Sequence, residues 1–155
     1  MARPPSTSAH LLLGFLAGAL SVLLFHQGML AVLHATGISP RGPYSLQPTA
    51  PLGVAQVVSL AFWGGVWGML LVTTDRRLPR GGSSILIAAL FGAIAPTLVA
   101  WLVVAPLKGQ PLAAGGAARP IVTALLVNTA WGAGTAILLL ALRHPRTRTA
   151  RRTLG

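Results

Sequence analysis

The chain has no cysteine and almost no acid. Of its 155 residues only Asp75 carries a carboxylate side chain, against twelve Lys and Arg. The missing cysteines exclude disulfides, thiolate metal centres and a cysteine nucleophile. The missing acids exclude paired-carboxylate chemistry, which needs two. They also leave no buried acid of the kind on which proton and cation pumps rely. Charge of either sign is scarce, at 8%, where soluble domains carry about 25%.

What the chain has instead is apolar length. Hydrophobic residues make up 54% of it, in four runs at about 11–33, 52–74, 84–106 and 121–142. About 20 apolar residues match the hydrocarbon thickness of a bilayer. The expected fold is all-α: one integral membrane domain, 1–155, forming a four-helix bundle. A signal-peptide reading of the first run is disfavoured, because the run is too long and lacks a small-x-small cleavage site. The lead, Met1–Ala9, and the basic tail, 143–155, read as disordered.

Small residues mark the helix faces. In the first run Gly14, Gly18, Ser21, Phe25 and Gly28 fall on one side at 100° per residue, with His26, Gln27 and His34 on the other. Gly64 and Gly68 in the second run have GxxxG spacing, and Gly92 and Gly134 lie on small faces of the third and fourth. Such faces let helix backbones approach closely in lipid. Pro96 predicts a kink in the third helix. The loops Gly37–Pro51 and Leu107–Arg119 are rich in Pro and Gly. The first, with Pro40, Pro43, Pro48 and Pro51, reads as neither helix nor strand ladder, and Tyr44 as a headgroup anchor.

Basic residues set the expected orientation. With four spans, Arg3, Arg76, Arg77, Arg80, Arg143, Arg146, Arg148, Arg151 and Arg152 share one side, and Arg41, Lys108 and Arg119 the other. Both termini are therefore predicted to be cytoplasmic. From Arg76 onward, the first group would meet anionic lipid headgroups at about 1 kcal/mol per residue. Nucleic-acid binding is not expected, since there is no folded basic domain with interleaved aromatics. The two halves also echo each other: Trp63-Gly64-Gly65 resembles Trp131-Gly132-Ala133, and Pro40 to Pro43 resembles Pro106 to Pro111. Two duplicated hairpins is one reading. The habitual clustering of Pro, Gly and Trp at such places is the other.

Few side chains could carry chemistry. Gln27, Gln56 and Asn128 are neutral amides inside apolar runs, each needing a partner. Interhelical hydrogen bonding accounts for them; a polar pocket lined also by Trp63 and Trp131 is the functional alternative. His26 and Met29 are spaced i, i+3 and could share copper or a haem iron. His34 lies about 12 Å farther along the axis, too far for the same ion. No catalytic residue stands out, and no cofactor is required.

Phe25-His26-Gln27-Gly28, Ser59 to Gly68, Pro96 to Gly109 and Asn128 to Gly134 together resemble a group of small, uncharacterised four-span inner-membrane proteins of Gram-negative bacteria. The resemblance implies the architecture and the bacterial inner membrane, and passes across no catalytic or binding residue. The expected function is a non-enzymatic membrane protein working through helix contacts, as a small complex subunit or a homo-oligomer. A carrier or channel for a neutral or anionic solute is the alternative; a haem- or copper-binding protein is the second.

Overall fold

The computed structural model describes residues 7–74 and 82–143. Four helices carry the chain: α1, Thr7–Ala35; α2, Gln56–Thr74; α3, Gly82–Leu107; and α4, Ala118–Arg143. Each is long and apolar enough to cross a membrane. The expected positions Arg76, Arg77, Arg80, Arg146, Arg148, Arg151 and Arg152 lie outside the described residues, and Arg143 closes α4.

The helices differ from the apolar runs at their ends. Helix α1 begins at Thr7, inside the lead read as disordered. Helix α2 begins later than its apolar run, because Val54–Ala55 pairs antiparallel with Pro48–Thr49. This short ladder corrects the reading of that loop as free of strand pairing. Both prolines of the loop's end tolerate it: Pro48 sits on a two-residue edge, and Pro51 lies in the turn between the strands.

Helices α1 and α3 each contain a π-helical turn, at Val22–His26 and Ala100–Val104. A π-turn inserts one extra residue into the helical repeat. Everything beyond it is rotated by about one residue, or roughly 100°. In α3 the turn follows Pro96, which lies inside the helix.

Helix α1 packs along α2, and α3 along α4. Contacts between α1 and α4 join the two pairs, while α2 and α3 barely meet. The spatial order is therefore α2–α1–α4–α3. Glycines explain the two close pairs. A Cβ at Gly18 would overlap the Gly64 carbonyl oxygen, and one at Gly68 the Gly14 carbonyl oxygen. In the other pair, a Cβ at Gly92 would overlap the Asn128 carbonyl oxygen, and one at Gly132 that of Ala88. Backbone-to-backbone approach of this kind supplies dispersion contacts that lipid cannot match. Gly134 makes room for the Phe25 ring where α4 meets α1. The apolar core is correspondingly thin: Ala17, Val72 and Leu139 form one cluster, and Leu71, Ala88 and Ala136 another.

Candidate functional site

The polar side chains within the spans form several separate ties. The first joins α4 to α1. The Trp131 indole Nε1–H donates to the Gly18 carbonyl at 3.0 Å, and the Ser21 hydroxyl donates to the Trp131 carbonyl at 2.6 Å. Thr135 donates to that same carbonyl at 2.8 Å. All of these groups are buried. A Cβ at Gly64 would lie 3.2 Å from that indole nitrogen, so the glycine of α2 leaves it room.

The second tie holds the first long loop against α1. Gln27 is buried, and its Oε1 accepts the Tyr44 backbone N–H at 2.7 Å. The Tyr44 hydroxyl returns the contact by donating to the Leu23 carbonyl at 2.8 Å. Leu23 lies in the π-turn, where the helical ladder is locally rewired. Tyr44 takes a positive φ of 54° to make both bonds. Farther along, His34 Nδ1 lies 3.0 Å from the Ser39 carbonyl oxygen. The buried Ser39 hydroxyl donates to the Arg41 carbonyl at 3.1 Å and accepts the Arg41 N–H at 3.2 Å. The loop thus folds back along the last turns of α1.

The third tie joins α4 to α3. Asn128 Nδ2 donates to the Thr97 hydroxyl at 2.8 Å, beside the helix-interior Pro96. Thr97 is buried.

The five residues of the sequence-derived pocket are thus divided. Gln27 holds a loop, Asn128 bonds α3, and Trp131 bonds α1. Trp63 is 57% exposed, on the side of α2 away from α1. The Gln56 backbone N–H donates to the Gln47 carbonyl at 2.9 Å, and its side chain makes no hydrogen bond among the described residues. The amides look equivalent in sequence, but helix rotation sends them to different neighbours. His26 and Met29 are both partly buried; His26 Nδ1 is buried with no hydrogen-bond partner among the described residues, and His34 is exposed. Among the described residues, no group of three His or acidic side chains is placed to hold a metal ion. The sequence placed Ser21 on a small packing face, and it assigned no hydrogen bond to Ser21, Thr97 or Thr135. Each is a small hydroxyl inside an apolar run, which was the available signal.

No protein-family model, curated protein or solved structure matches the chain.

Proposed function

We propose that this chain is a non-enzymatic, multi-pass protein of the bacterial inner membrane that works through helix–helix contacts, as a homo-oligomer or as a small subunit of a larger assembly. The observation that carries the reading is the use to which the interior polar groups are put. Trp131, Ser21, Thr135, Asn128 and Thr97 bond helix to helix or brace a helix, and Gln27 bonds helix to loop. Among the described residues these groups are engaged in adhesion and do not converge on one site, which supports the reading. Outward, the helices offer large apolar surfaces. In α3 no residue of the turn Ala100–Val104 is buried, and Leu102 is 58% exposed.

The orientation belongs to the same proposal. Arg41, Lys108 and Arg119 lie at the end with the two long loops, and the remaining nine basic residues of the sequence are assigned to the opposite end. That asymmetry supports cytoplasmic termini, with the eight from Arg76 onward near anionic headgroups. A carrier built on two hairpins would need Gln27, Gln56 and Asn128 around one cavity, and their separate placements do not favour it.

Gentle extraction from the native membrane, followed by native mass spectrometry and chemical cross-linking, tests the reading. A homo-oligomer or a stoichiometric partner is expected. A chain that runs only as a monomer, with no co-eluting protein, overturns it.

A further inference from the structure

Helix α2 has two opposite faces with opposite fates. Its glycine face, Gly64 and Gly68, is buried against α1. At 100° per residue, the opposite face carries Gln56, Ser59, Trp63, Val66, Leu70 and Thr73. These positions alternate three and four apart, the spacing of a helix–helix seam. None of the six is buried, and Leu70 is 48% exposed. α3 does not cover the seam, since α2 and α3 barely touch; their ring contact runs through Trp67 and Phe91, at 6.0 Å.

The seam carries unspent polarity. Among the described residues, the Trp63 indole N–H, the Ser59 hydroxyl and the Gln56 side-chain amide make no hydrogen bond. The Trp63 ring meets Phe62 edge-on at 5.6 Å. Helix α2 has 19 residues, or about 28 Å at 1.5 Å per residue, close to the roughly 30 Å of bilayer hydrocarbon. Trp63 therefore sits within a few ångströms of the middle of the span. Tryptophan ordinarily lies at the headgroups, where its N–H finds an acceptor. Lipid offers none at mid-depth, so the acceptor must come from protein. One other tryptophan, Trp131, meets this need by donating to a neighbouring helix.

We propose that this seam is a self-association surface, on which two copies meet about a two-fold axis along the membrane normal. The inference rests on the helix-contact reading above and names its partner as a second copy of this chain. The argument for self-pairing is electrostatic complementarity. The face carries a donor at Trp63 and an acceptor at Ser59 one turn away, about 6 Å along the axis. Helical side chains lean toward the N-terminus, so each Trp63 indole leans toward the level of its partner's Ser59. A two-fold axis makes that bond twice, once from each copy. At the end of the seam, the two Gln56 amides meet at the same depth and can pair with each other. The seam bears no formal charge, so the positive chain suffers no repulsion there.

The absence of cysteine makes the test direct. Single cysteines are placed in the full chain at Val66→Cys and Leu70→Cys on the seam, and at Ile94→Cys and Leu98→Cys on exposed positions of α3. Oxidation in native membranes is expected to give disulfide-linked dimers at 66 and 70 and not at 94 or 98. Trp63→Phe and Ser59→Ala touch no core contact. Each is expected to weaken dimerisation on the order of tenfold at fixed protein-to-lipid ratio, as loss of both symmetry-related bonds implies. Dimers linked only through α3 overturn the seam and leave the helix-contact reading intact. Seam cysteines that link to a different protein overturn self-pairing and keep the subunit reading. No cross-link anywhere, with a monomer by native mass spectrometry, overturns both. Unchanged dimerisation in Trp63→Phe and Ser59→Ala overturns the hydrogen-bonded pairing.

Discussion

The Trp131 indole N–H donates to the Gly18 carbonyl across 3.0 Å of buried interior, and through that bond the last helix holds the first. Trp131→Phe removes the donor and part of the ring. The loss of a buried hydrogen bond and the small cavity left behind should cost about 1–3 kcal/mol. Thermal unfolding in detergent should report a lower midpoint. Because α1 and α4 join the two close pairs, cross-links between α1 and α4 should weaken while those between α1 and α2 persist.

Two glycines of the same helix should respond to alanine with opposite signs. A Cβ at Gly18 would overlap the Gly64 carbonyl oxygen, a backbone atom that cannot step aside. Gly18→Ala should therefore push α1 from α2 and destabilise by about 1–3 kcal/mol. Around Gly28 nothing lies within 4 Å. Gly28→Ala should instead stabilise by about 0.5–1 kcal/mol, the usual helix preference for alanine. Equilibrium unfolding of the pair in one detergent checks both signs.

The second long loop holds an unusual backbone. Ala113 and Ala114 take φ of 46° and 55°, ahead of Gly115 at 64°. A left-handed conformation costs an L-residue with a Cβ about 1–2 kcal/mol. Ala113→Gly and Ala114→Gly remove that cost, offset in part by glycine's greater freedom when unfolded. Each is expected to raise the thermal midpoint by a few degrees. A fall in either variant would show that the methyl group is required.

Tyr44 and Gln27 should hold the first long loop jointly. Tyr44→Phe removes the bond to Leu23; Gln27→Leu strands the Tyr44 N–H. Hydrogen exchange at the Tyr44 amide should accelerate in both variants, and more in Gln27→Leu, where the amide loses its own acceptor. The double variant should exchange little faster than Gln27→Leu, since both bonds close one contact.

The four helices, and the glycines that let them approach, were legible from the sequence. Apolar length and small-residue spacing are local properties, and Gly14, Gly18, Gly64 and Gly68 act through them. The faces of α1 beyond Ser21 were not legible. A regular helix places Gly28 with Gly14 and Gly18, and Gln27 on the far side. The π-turn at Val22–His26 rotates the remainder of the helix, so Gly28 is left in open space and Gln27 is buried under the loop. That turn has no sequence marker, because its compensation comes from Tyr44, a residue far along the chain.

The sequence by itself determined that the chain forms helices long and apolar enough to cross a membrane, because burying uncharged backbone in hydrocarbon leaves a run of such residues little choice but helix. Only the tertiary structure decided which helices are neighbours. All four are similarly apolar, so hydropathy cannot rank their pairings. Their order follows from where a missing Cβ lets backbones touch, and from where one indole, one carboxamide and a few hydroxyls find partners across the gap. The same geometry left the Ser59–Trp63 face of α2 uncovered.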